Sequence, residues 1–206
     1  MLPEDSYKTV SSISQGIYKD KGSRFIALAC PVKSENEVKE QLSKWRNEYH
    51  DAQHHCYAFR LGKDHPVYRV NDDGEPSGSA GRPIYGQILS CDLTNILIVV
   101  IRYFGGTKLG IPGLINAYKT AAREALDKST IVEKTIDLNF EISYDYLAMN
   151  EVMKTLKEEN AAILVQTLDN TCFLTFSIRR NRADKILGHL QKIHGIMIRP
   201  EKVIYS

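Results

Sequence analysis

Two glycine-rich loops hold the residue types best able to do chemistry. One reads Asn71-Asp72-Asp73-Gly74-Glu75-Pro76-Ser77-Gly78-Ser79-Ala80-Gly81-Arg82-Pro83, the other Arg102-Tyr103-Phe104-Gly105-Gly106-Thr107-Lys108-Leu109-Gly110-Ile111-Pro112-Gly113. Glycine permits positive φ and close backbone approach. N–H groups near a helix start can hold an anion, and Lys108 adds a charge. Arg82, Arg102, Lys108 and Thr107, with the N–H groups of Gly105, Gly106 and Gly110, form a set suited to phosphate. It is no Walker A loop: the spacing is absent, and no serine or threonine follows Lys108 to hold magnesium. A tight strand-to-helix turn explains the glycines equally well.

The first loop supplies Asp72, Asp73 and Glu75 as a second wall, with Ser77 and Ser79. Such carboxylates can hold a hard cation or move protons, but the calcium-loop spacing is missing. Asp73-Gly74 is also a strong turn dipeptide. His50, His54, His55 and Cys56 invite a metal reading. A strand over 55–59 alternates their faces, however, and zinc needs three or four convergent ligands. No metal or cofactor is expected. No G-x-S-x-G elbow exists, and spacing alone does not make Cys56 and His55 a nucleophile–base pair. A last cluster, Arg179, Arg180, Arg182 and Lys185, offers a partner surface or a solvated face.

The elements that position these groups follow from periodicity. Residues 8–18 and 23–32 read as strands around a turn at 19–22. Ser34 and Glu37 form a capping box for a helix that buries Val38, Leu42 and Trp45 and ends near His50. Strands follow at 55–61 and 67–70. A helix starts near Arg82-Pro83 with Ile84, Ile88 and Leu89 inward. Residues 95–104 are nearly all branched or aromatic, which predicts a strand buried on both faces. Pro112 opens a helix to about Lys128, with Leu114, Ile115, Tyr118, Ala122, Ala125 and Leu126 inward. Beyond Ser129 the pattern resets to a half-buried strand from Ile136. A helix capped by Asp145 follows, then strands 162–168 and 171–179 around Asp169-Asn170. A helix capped by Asn181 and a strand at 196–204 complete a βαββαβ, ferredoxin-like unit. On its sheet, Asp137, Asn139, Glu141 and a single Phe173 face outward, a poor RNA-stacking surface.

The chain has 206 residues and a formal net charge of +2, spread evenly. General charge neutralisation of nucleic acid would favour a more basic chain, so any such binding needs a local patch. Four scattered cysteines read as buried thiols of a reducing cytoplasm. The polar N-terminus lacks a signal-peptide core, and the longest apolar run, Ile96 to Ile101, is too short to cross a bilayer. The expectation is a cytoplasmic α+β protein without membrane contact, with domains at 1–132 and 133–206.

Several motifs together closely resemble the IMPACT/YigZ family. They are Asp73-Gly74-Glu75-Pro76, Ala80-Gly81-Arg82-Pro83, Arg102-Tyr103-Phe104-Gly105-Gly106, Lys108-Leu109-Gly110 and Gly113-Leu114, with Gly22-Ser23-Arg24-Phe25 and His55-Cys56-Tyr57-Ala58. The resemblance covers essentially the whole chain. It implies an N-terminal domain with the fold of the second domain of ribosomal protein S5. It also implies a C-terminal ferredoxin-like domain similar to the last domain of elongation factor G. Eukaryotic members regulate translation under amino-acid stress by competing for an activator of an initiation-factor kinase. This sequence starts directly in the shared domain, without their N-terminal partner-binding domain, and its layout is similar to bacterial members.

Two functional readings follow, from different classes. One is a translation-linked regulatory protein that binds RNA, the ribosome or a translation factor through the glycine-rich loops. The other is an enzyme acting on a small phosphorylated or acidic substrate between them. A protein-interaction module using the Arg179–Lys185 face is a third.

Overall fold

The computed structural model describes residues 5–169 and 171–205. It falls into two compact units: residues 8–133, and Asp5–Tyr7 together with the chain from Lys134 onward. Ile136 donates its N–H to the Asp5 carbonyl at 2.8 Å, and Arg179 pairs with the Asp5 carboxylate. The first described residues are therefore held by the C-terminal unit.

In residues 8–133, strands β2 (Ser14–Asp20), β3 (Ser23–Pro31), β4 (His54–Leu61), β5 (Val67–Asn71) and β6 (Ile96–Tyr103) form one sheet. Its order is β2-β3-β6-β4-β5, and every pairing is antiparallel. Three helices accompany it: α1 (Glu35–Glu48), α2 (Gly81–Ser90) and α3 (Gly110–Asp127). The central strand β6 explains the layering. Ile96, Ile98 and Val100 enter a core with Ile84 and Ile88 of α2 and Tyr118 of α3. Leu97, Val99 and Ile101 enter a second core with Val38 and Trp45 of α1. Its missing alternation is thus the signature of helices on both faces.

Helix α3 packs on the sheet through small residues. Ala117, Ala121, Ala122 and Ala125 face Ala27, Ala29 and Ala58 within one core. A Cβ on Gly16 would come within 2.3 Å of the Ala125 nitrogen. Small residues on both sides allow this close approach. At α1, Ser34 accepts the Glu37 N–H at 3.2 Å, while the Glu37 carboxylate accepts from Lys33 at 2.8 Å. The capping box forms with its return bond displaced by one residue.

Several expectations need correction. The strand read at 8–18 is two: β1 (Ser6–Val10) and β2, separated by a bend at 11–13 and belonging to different sheets. Leu89 and Ile115 are exposed. Each follows a buried residue by one position, so the 100° helical step carries it off the inward stripe.

The C-terminal unit contains β7 (Ile131–Asp145), α4 (Met149–Glu158), β8 (Ala162–Thr167), β9 (Thr171–Arg179), α5 (Ala183–Leu190) and β10 (Met197–Tyr205). The strand order β10-β7-β9-β8 is that of a ferredoxin-like sheet. Cys172, Leu174, Phe176 and Ile178 alternate inward on β9. Short 3₁₀ turns precede α4 and α5, so Asp145 and Asn181 do not cap them; Asp145 makes no capping bond. Of the hairpin dipeptide Asp169-Asn170, Asn170 lies outside the described residues.

Cys30, Cys56 and Cys172 are buried and Cys91 is partly exposed. Burial pushes the Cys30 thiol up to about 12 and Cys56 higher still. Since the thiolate is the reactive form, iodoacetamide at pH 8 is expected to label Cys91 alone in the native protein. All four should react after unfolding. Peptide mass mapping checks this, and comparable native labelling of Cys30 or Cys56 would contradict it.

Candidate functional site

The site grows from the turn after β5. Asp73 and Gly74 both have positive φ, 43° and 87°, and Glu75 donates its N–H to the Asp72 carbonyl at 2.8 Å. An Asp-Gly pair suits such a turn. The Asp72 carboxylate accepts three N–H bonds, from Gly78 (2.8 Å), Ala80 (3.0 Å) and Gly81 (2.8 Å). It folds the loop back and satisfies the start of α2, where Ala80 offers no side-chain cap. Asp73 accepts from the His55 N–H at 2.7 Å and from Arg46 at 2.9 Å. Both aspartates are therefore committed to building the loop.

That turn delivers Glu75 into the protein. Its Oε1 accepts from Arg102 Nη1 and, at 2.8 Å, from the Tyr118 hydroxyl. Both members of the ion pair are more than nine-tenths buried. Burial pushes the Tyr118 phenol far up, so it stays a neutral donor to Glu75. Phe25 and Phe104 flank the Arg102 guanidinium, at 5.3 and 5.5 Å from its carbon. The Arg102 Nε is buried and has no acceptor among the described residues.

His54 sits opposite Arg102 in the β4–β6 register. Its Nδ1 lies 2.7 Å from the Asp73 carbonyl. A carbonyl only accepts, so Nδ1 carries the proton. Its Nε2 lies 3.9 Å from Glu75 Oε1. His55 turns elsewhere: its Nε2 donates to the Tyr49 carbonyl at 3.1 Å, and burial disfavours its charged form.

The second loop is pinned by close contact. Gly105 donates to Ser23 Oγ at 3.1 Å, and Phe104 donates its N–H to Gln53 Oε1 at 3.0 Å. Gly106 and Gly110 have positive φ. Helix α3 then starts with no side-chain cap. The Gly110 and Ile111 N–H groups have no intrahelical acceptor, and Pro112 has none to offer.

Together these parts enclose a cavity of about 480 Å³, lined by Gln53, His54, Glu75, Pro76, Arg102, Phe104, Lys108, Leu109, Gly110, Ile111 and Leu114. Of the expected residues, Arg102, Lys108, Gly110 and Glu75 line it. Gly105, Gly106 and Thr107 form the loop leading to Lys108, and the Gly105 N–H is already taken. Arg82 and Ser77 are exposed and do not line the cavity. Ser79 is buried with its Oγ unpartnered. Gln53, His54, Phe104 and Ile111 were not assigned to this site by sequence. A β4–β6 register placing His54 beside Arg102 was the signal that could have found the first two.

The basic cluster of the C-terminal unit is engaged within that unit. Arg179 pairs with Asp5, Arg182 donates to the Glu159 carbonyl at 3.3 Å, and Lys185 lies 2.7 Å from the Glu159 carboxylate. Arg180 is not free either.

The chain is thus a two-domain α+β protein, an S5 domain 2-like unit followed by a ferredoxin-like one. A family model described as the Impact N-terminal domain matches residues 21–126. IMPACT family member YvyE of Bacillus subtilis is 35% identical over 153 residues, 74% of this chain and 70% of its own length. An IMPACT family member of Haemophilus influenzae is 32% identical over 184 residues, 86% of this chain and 88% of its own. A solved structure described as that of a hypothetical protein shares the fold. Its TM-score is 0.77 at 24% identity, over 97% of this chain and 99% of that one. The chain belongs to the IMPACT family.

Proposed function

We propose that this protein is a cytoplasmic, translation-linked regulatory protein whose loop cleft grips a phosphate of RNA, on the ribosome or in a complex with a translation factor. The family's resemblance to translation regulators supports the first part. One observation carries the second: Lys108 and the uncapped start of α3 meet at a single cavity. No helix among the described residues is long and apolar enough to cross a membrane. Because Arg102 is neutralised by Glu75, Lys108 is the cavity's main uncompensated cation. One phosphate contact to a single strand gives a loss of about threefold in affinity between 50 and 200 mM salt. Sucrose-gradient sedimentation of lysate at both salts tests the reading. Wild type is expected to travel with ribosomal particles at low salt, and Lys108→Ala to remain at the top. If both variants stay at the top, the reading fails.

A second reading, an enzyme acting on a small phosphorylated substrate, draws on His54. Its Nε2 stands at the cavity wall, 3.9 Å from Glu75 Oε1, where an imidazole can exchange a proton with a substrate. Turnover of phosphate esters that His54→Gln abolishes would favour it.

A further inference from the structure

We infer that the cleft takes one unstacked nucleotide of a single strand, with its base against Phe104 and Ile111 and its phosphate at Lys108 and the start of α3. This rests on the RNA reading above and specifies what enters the site. The cavity is chemically two-sided. Phe104 and Ile111 line it, yet remain 46% and 54% exposed. Two large apolar side chains left open beside a lysine suit a ligand that is flat and apolar at one end and anionic at the other. Base-on-aromatic stacking with a nearby cation is how single strands are held. A volume of about 480 Å³ suits a small ligand, and a duplex cannot enter it.

The polar wall fits the same ligand. Gln53 Oε1 is occupied by the Phe104 N–H, so its amide N–H₂ remains as a donor. His54 Nε2 stands at the same wall, 3.9 Å from Glu75 Oε1. Arg102 also lines the cavity, is 6% exposed and is held by Glu75. The Gly110 and Ile111 N–H groups and Lys108 supply the anion site. An amide donor, an imidazole, an aromatic ring and a cation therefore line one space.

The test is fluorescence anisotropy of a labelled six-nucleotide oligoadenylate on the full chain, with adenosine 5′-monophosphate and ribose 5-phosphate as competitors. The single strand is expected to bind at least tenfold more tightly than a twelve-base-pair G·C-rich RNA duplex. The mononucleotide should compete better than the sugar phosphate. Phe104→Ala should weaken the hexamer and the mononucleotide by about tenfold and leave the sugar phosphate unchanged. Phe104→Tyr, which keeps the ring, should bind as wild type. Lys108→Ala should weaken all three. Equal binding of the duplex, or a hexamer indifferent to Phe104→Ala, overturns the nucleotide inference. If sedimentation with ribosomes still depends on Lys108 in that case, the RNA reading survives. No hexamer binding together with no Lys108-dependent sedimentation overturns both.

Discussion

Arg102→Met is expected to destabilise the unit of residues 8–133 by about 3–5 kcal/mol. The substitution keeps most of the side chain's length, so the loss is mainly electrostatic. It leaves the Glu75 carboxylate buried with only the Tyr118 hydroxyl as a strong donor. The Phe25 and Phe104 rings also lose the cation between them. The double variant Arg102→Met/Glu75→Gln should recover much of the loss, because no uncompensated charge then remains inside. Urea unfolding followed by tryptophan fluorescence gives a clean readout. The chain's one tryptophan, Trp45, is buried in a core of this unit and so reports on it alone. A single-variant loss below about 1 kcal/mol would mean that water or a neighbouring group replaces the lost partner.

The second large effect lies one loop away. In Gly105→Ala the new Cβ would stand 1.9 Å from the Gly22 carbonyl carbon and 2.2 Å from the Ser23 nitrogen. Both obstacles are backbone, so no rotamer change relieves them. The β2–β3 turn and the Phe104–Lys108 loop must separate, at a cost of about 3 kcal/mol. Gly106→Ala, the next residue, meets nothing within 4 Å but has a φ of 85°. Its cost should be about 1–2 kcal/mol from the left-handed backbone alone. The same unfolding assay separates the two causes, and equal losses would show that close approach is not what keeps glycine at 105.

How legible all this was depended on whether a signal was local. Residues 96–101 read as a doubly covered strand because each carries its own apolar side chain, whichever core it enters. Ser34 and Glu37 announced a helix start because both partners lie within one turn. Leu89 and Ile115 misled because each abuts a buried residue and composition alone does not carry the 100° step. Asp72 and Asp73 read as a turn with cation or proton chemistry left open, because their partners, the 78–81 amides, His55 and Arg46, are assigned by loop closure and pairing. His54 was missed as a cavity residue for a related reason: its place beside Arg102 is a register fact between strands some 48 positions apart. Glu75 and Arg102, both named from sequence, turned out to be each other's partner. That could not be read from two loops whose meeting depends on the fold.

The three amides converging on Asp72 have a consequence for timing. A wall stitched to its own helix before any guest arrives has little freedom left to surrender on capture. The cleft should therefore accept its occupant as a rigid receptor, with complex lifetime set by how quickly the guest slips out rather than by a closing lid.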